Sequence, residues 1–143
     1  MNTNEDEILY KDLAYKIVGL AMRVHRKLGY GFLEKVYENA LMVLFRREGI
    51  EAKQQAPITV YFEEEVVGNY YADILVEDKV ILEIKPARHL PAIRQAGPAG
   101  GSVEKIIDAH IAQSLNYLKA TGLRLAIILN FSKEKLEYKR IIK

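Results

Sequence analysis

The sequence predicts an α/β sandwich, with a mixed central sheet flanked by helices. Three features carry that prediction. Two segments with helical hydrophobic periodicity open the chain, a run of extended apolar segments follows, and a third helical segment precedes a continuous apolar strand. At 143 residues, with half the residues hydrophobic and no internal repeats or linkers, the chain is expected to form one domain over residues 1–143.

The first helix is expected from about Glu5 to Leu28. Leu9, Leu13, Ile17, Leu20, Val24 and Leu28 recur every three or four residues, with acids at its start and bases at its end, as the helix dipole prefers. Gly29-Tyr30-Gly31 stops it. A second helix starts at Phe32 or Leu33 and runs to Arg47, with Leu33, Val36, Tyr37, Ala40, Leu41 and Leu44 as its apolar side and Gly49 as a C-terminal cap.

Ala52 to Phe62 reads as a strand, where Pro57 implies an edge position or a bulge. Glu63-Glu64-Glu65 is a polar turn, and Val66-Val67-Gly68 leads into the next strand. Tyr70–Lys85 reads as two strands folded back across Glu77-Asp78, and Pro86 holds Lys85 extended. Pro86–Ser102 carries three of the four prolines and reads as a loop. A third helix follows from about Val103 to Ala120, ended by Thr121-Gly122. Leu123–Phe131 is a strand buried on both faces, and Leu136–Ile142 a last strand or extended tail. The expected order is α-α-β-β-β-β-α-β-β.

Composition excludes several functions. There is no cysteine, so disulfides, zinc–thiolate sites and iron–sulfur clusters are ruled out. The acidic N-terminus carries no secretory signal and no apolar run can span a bilayer, so a cytoplasmic protein without a membrane partner is expected. A net charge of +2, from 21 basic and 19 acidic residues, means that any nucleic-acid contact must rest on local clusters. No nucleophile elbow or phosphate-cradling glycine loop is present.

The chemistry concentrates in the Tyr70–Lys85 hairpin. Glu83 and Lys85 share one face of their strand, and Asp73 on the adjoining strand can approach Glu83. Two carboxylates at a strand end make a hard oxygen site suited to Mg²⁺ or Mn²⁺, and the neighbouring ammonium can orient water or stabilise phosphorane charge. Three charges in a strand pair can equally form an ion-pair cluster. Gln113 and Tyr117, four apart on the third helix, share a face that can lie beside this site. His25 and Glu34 flank the Gly29–Gly31 turn and can sit at one end of the helical hairpin.

Gly31-Phe32-Leu33-Glu34-Lys35-Val36-Tyr37 reproduces the signature Gly-x-x-Glu-x-x-Tyr. Together with VHRKLGYG, YYADILVEDKVILEIK, AQSLNYLKATGL and ILNF, it makes the chain resemble the GxxExxY family, over about Ile17 to Ile142. That family is similar to the PD-(D/E)xK nuclease superfamily in its RecB- and Cas4-like branch, without the latter's iron–sulfur cysteines.

The resemblance implies a restriction-endonuclease-like sandwich and a Mg²⁺- or Mn²⁺-dependent nuclease acting on nucleic acid, DNA in the first place. It implies Asp73 as the motif aspartate, Glu83 and Lys85 as the E-x-K pair, and Glu34 as the upstream acid. Asp73, Glu83, the Ile84 carbonyl, Glu34 and His25 become the implied metal ligands, and Gln113 and Tyr117 match a Q-x-x-x-Y element.

The chain departs from the family in two places. Gln113 lies 28 positions after Lys85, much further than usual, so residues 86–102 read as an insertion, either a clamp using Arg88, His89 and Arg94 or a tolerated loop. Gly29-Tyr30-Gly31 stands where Gly-Pro-Gly is usual. The alternative function is a non-catalytic nucleic-acid-binding or protein-interaction module on the same scaffold. A homodimer would extend the binding surface in either case.

Overall fold

The structure, a computed structural model, describes residues 9–86 and 106–143. The expected helix start at Glu5, the insertion beyond Pro86 with Arg88, His89 and Arg94, and the expected third-helix start at Val103 lie outside the described residues. The element order is α1 (Lys11–Leu28), α2 (Glu34–Arg47), β1 (Ala52–Phe62), β2 (Glu65–Val76), β3 (Val80–Pro86), α3 (Asp108–Thr121), β4 (Leu125–Phe131) and β5 (Leu136–Ile142). One expected strand is therefore not separate. Val66–Gly68 and Tyr70–Val76 form a single strand, β2, because nothing between them turns the backbone.

The five strands lie in sequence order, β1-β2-β3-β4-β5. All neighbours are antiparallel except β3 and β4, whose parallel pairing requires the α3 crossover. Alternation along the central strands defines two cores. Val80, Leu82, Ile84, Leu125, Ile127, Leu129 and Phe131 face α1 and α2, while Ile81, Ala126 and Ile128 face α3. β4 is buried along its whole length, as its apolar run requires.

Both tight hairpins are turned by acidic pairs in the left-handed region, Glu63-Glu64 (φ 47° and 71°) and Glu77-Asp78 (φ 53° and 54°). Positive φ at both central positions is the turn that matches strand twist. Gly49 and Gly122, at φ 70° and 77°, close α2 and α3.

The helix starts differ from expectation. α1 begins at Lys11, because Tyr10 takes a left-handed φ of 49°. α2 begins at Glu34, and Leu33 and Val36 are exposed rather than part of its buried face. None of the described helices is long and apolar enough to cross a membrane.

Candidate functional site

β2 and β3 pair only from Ile74↔Leu82 to Val76↔Val80. Asp73 and Glu83 would form the next rung of this ladder, but there the strands part. Their side chains take over the backbone groups that the ladder leaves: the Asp73 N–H donates to Glu83 Oε2 at 3.1 Å, and the Ile84 N–H donates to Asp73 Oδ2 at 2.7 Å. Two carboxylates are thereby fixed at a strand split by backbone amides, which hold them more rigidly than side-chain partners would.

The same rung is irregular on its other side. β1 and β2 keep register from Ala52↔Val76 through Gln54↔Ile74 to Ala56↔Ala72, so Gln55 lies opposite Asp73. Gln55 has φ 53°. Across this point the pleat changes phase. Ala52, Ile74 and Val76 pack towards α1 and α2, whereas Ala56, Ile58 and Ala72 pack towards α3. A left-handed, non-glycine residue inside a strand costs about 1–2 kcal/mol, and here it sits against the candidate site.

That irregularity brings both Gln54 and Gln55 onto one carboxylate, although strand alternation would part them. Gln54 Nε2 donates to Glu38 Oε2 at 2.5 Å, and Gln55 Nε2 to Glu38 Oε1 at 3.0 Å; Lys35 Nζ adds a third bond to Oε2 at 2.9 Å. Glu38 is only 1 % exposed. One oxygen each of Glu34, Glu38 and Asp73 lies within 4.8 Å of the others, a grouping that can hold a metal ion. The sequence reading missed Glu38. Its spacing of four from Glu34, two like charges on one helix face, was the available signal.

Glu34 is placed by the turn before it. The buried Tyr37 hydroxyl donates to the Gly29 carbonyl at 2.8 Å and accepts from the Phe32 N–H at 3.2 Å, clasping the chain where α2 begins. Its ring stacks on Phe131 at 4.3 Å, and burial pushes its phenol above the ordinary value. The Gly31, Glu34 and Tyr37 spacing is thus one mechanical unit: a turn, a carboxylate and the phenol that fixes the turn.

The carboxylates strain against one another. Burial, then a hydrogen bond and repulsion from Asp73, raises Glu34 to about 7; burial followed by Asp73 raises Glu83 to about 8. Lys85, half-buried on the Glu83 face, opposes both shifts and has no carboxylate within ion-pair distance among the described residues. Glu34, Glu38, Asp73 and Glu83 against Lys35 and Lys85 leave a formal charge of −2 when all are ionised, which one divalent cation would balance. The all-oxygen donor set is of the kind that suits Mg²⁺ or Mn²⁺.

The other expected residues divide. Tyr117 is 7 % exposed and borders the site: burial, then the charges of Glu83 and Asp73, raises its phenol. Gln113 lies one turn earlier, in a cleft between α3 and the β1–β2 hairpin. Ile84 contributes its amide to Asp73. His25 is not brought to the carboxylates. Its Nε2 donates to the Ser132 carbonyl at 2.6 Å and its ring stacks on Phe131, which ties α1 to the end of β4.

A family model described as the PD-(D/E)XK nuclease superfamily matches residues 11–97 and 101–141. Among solved structures, the chain is similar to the crystal structure of SSO0001, with a TM-score of 0.53 and 15 % identity over 77 % of this chain and 50 % of that one. It is also similar to an alkaline exonuclease (LHK-Exo) from Laribacter hongkongensis, with a TM-score of 0.48 and 15 % identity over 76 % of this chain and 55 % of that one. The chain spans about half the length of both. No curated protein matches the sequence.

Proposed function

Because the chain belongs to the PD-(D/E)XK nuclease superfamily, we propose that it is a Mg²⁺- or Mn²⁺-dependent nuclease hydrolysing phosphodiester bonds of DNA. By its Gly31-x-x-Glu34-x-x-Tyr37 stretch we place it in the GxxExxY branch. The observation that carries the proposal is the convergence of Asp73, Glu34 and Glu38 at a strand split, with Glu83 and Lys85 on the adjoining strand.

Asp73, Glu34 and Glu38 would hold the ion, with Glu83 beside them fixing the Asp73 backbone. When bound, such an ion neutralises the carboxylates, polarises the scissile phosphate and acidifies water. The remaining work belongs to the chain. Lys85 presents its ammonium to the attacking water and to the charge that develops on the phosphoryl oxygens. Gln54, Gln55 and Lys35 keep the Glu38 carboxylate aimed. Gln113 and Tyr117 orient the strand beside the carboxylates.

The test is cleavage of labelled single- and double-stranded DNA and RNA in Mn²⁺ or Mg²⁺, with Asp73→Ala and Lys85→Ala beside the wild type. Expected are cleavage by the wild type, loss on Asp73→Ala, and at least about a 100-fold fall on Lys85→Ala. Equal cleavage by all three proteins would overturn the assignment. A wild type that neither cleaves nor binds Mn²⁺ would instead indicate a non-catalytic module.

A further inference from the structure

The β1–β2 hairpin reaches beyond the rest of the sheet. β2 spans Glu65–Val76, yet β3 pairs with it only from Ile74 onward, so among the described residues β2 from Glu65 to Ala72 has β1 alone for a strand neighbour. This arm and α3 form the two walls of a cleft of about 870 Å³. Tyr61 and Tyr70 on the arm are 63 % and 48 % exposed, and tyrosine is enriched where an apolar ring and a polar tip meet a partner. The α3 wall supplies Gln113, Asn116, Tyr117 and Lys119.

The aromatic faces are set in place. Tyr70 and Tyr117 stand 5.7 Å apart, centroid to centroid, with ring planes tilted by 46°. Beneath Tyr70, Gly68 leaves the strand surface bare: a Cβ built there would come within 3.1 Å of Tyr70 Cε2. The ring therefore lies down on the strand at Gly68 and leans on Tyr117, and its outer face is left open.

The chemistry of the walls selects an occupant. Among the described residues the cleft holds no carboxylate, and Lys119 is its one charged side chain. Its polar groups are otherwise amides, a threonine hydroxyl and phenols, which hydrogen-bond to neutral edges. Aromatic faces combined with neutral donors and acceptors suit nucleobases, and sparse positive charge does not suit a duplex backbone. In a duplex the edges of each base are paired and its faces are covered by stacked neighbours, so an unpaired, unstacked base is the one that offers both face and edge to these walls. Tyr117 belongs both to the cleft and to the edge of the carboxylate site, so a strand lying in the cleft leads directly to the carboxylates.

We propose that the cleft between the β1–β2 arm and α3 seats the unpaired bases of a single nucleic-acid strand, on Tyr70 and Tyr61, beside the carboxylate site. The inference rests on the nuclease reading for what happens to that strand, but the seat itself can be tested without cleavage.

The experiment measures fluorescence anisotropy of a labelled (dT)₈ strand and of a blunt duplex hairpin in EDTA. The proteins are the wild type, Tyr70→Ala, Tyr61→Ala and Tyr70→Phe. Both tyrosines are exposed enough for truncation to leave the fold intact, and Tyr70→Phe keeps the ring while removing the hydroxyl.

Stacking contributes about 1–3 kcal/mol per base, so each alanine variant should weaken (dT)₈ binding by about 5- to 140-fold. Tyr70→Phe should stay close to the wild type, and duplex binding should be weaker than (dT)₈ binding and unmoved by the variants. Unchanged (dT)₈ affinity in both alanine variants, no (dT)₈ binding by the wild type, or equal losses on strand and duplex would each overturn the seat. Cleavage of (dT)₈ in Mn²⁺, run on the same preparations, separates the two claims. Ring-dependent binding without cleavage supports the seat and removes the nuclease, whereas cleavage indifferent to both tyrosines keeps the nuclease and removes the seat.

Discussion

Glu83 offers the sharpest energetic test. It is 4 % exposed, and burial, followed by the charge of Asp73, raises its carboxyl from 4.5 to about 8. The folded protein therefore holds this proton more tightly than the unfolded chain. Stability from that proton is fully present below about pH 4.5 and is lost as pH rises through about 8. At 1.36 kcal/mol per pH unit, the difference amounts to about 5 kcal/mol.

Glu83→Gln removes the titration while keeping an oxygen to accept the Asp73 N–H. The assay is urea unfolding of wild type and variant in EDTA across roughly pH 5 to pH 9. The wild type should lose several kcal/mol more than the variant over that range, so that Glu83→Gln is the more stable protein at the alkaline end. A divalent cation at a hundred times its dissociation constant should return about 2.7 kcal/mol to the wild type. Parallel pH profiles for the two proteins would refute the reasoning, because they would mean that Glu83 titrates normally.

Substitutions at two further positions probe the supports of the site. Tyr37→Phe removes the hydroxyl that clasps Gly29 and Phe32. It should cost about 2 kcal/mol, roughly 6 °C in thermal midpoint by calorimetry, and should weaken Mn²⁺ binding because Glu34 loses its fixed turn. Gln55 carries the left-handed backbone opposite Asp73. Gln55→Gly and Gln55→Val both lose the bond to Glu38, yet the glycine variant should be more stable by about 1–2 kcal/mol in urea unfolding, since only the valine must bear that backbone strain.

The parts of the site that depend on local pattern were legible in the sequence. Apolar alternation and the Glu77-Asp78 turn brought Asp73 within reach of Glu83, and helical spacing placed Gln113 and Tyr117 together. The parts made by tertiary contact were not. Nothing local announces that Gln55 turns left-handed, so neither the phase change of the β1–β2 ladder nor the convergence of Gln54 and Gln55 on Glu38 could be read. His25 stands at the expected end of α1, but a carbonyl after β4 competes for its ring. Leu33 and Val36 follow helical periodicity without being buried, because α2 is seated on the sheet through Tyr37, Leu41 and Phe45 instead. In the sequence Gly68 only leads into the next strand, and its use as a bed for Tyr70 appears once the ring is in place.

The central claim is that the strand split between Asp73 and Glu83 builds a divalent-cation site with Glu34 and Glu38. Mn²⁺ titration by isothermal calorimetry tests it most directly. Expected is saturable Mn²⁺ binding by the wild type, lost on Asp73→Ala, weakened on Glu38→Gln and retained on Lys85→Ala. Mn²⁺ binding that is absent from the wild type, or indifferent to Asp73 and Glu38, would contradict it.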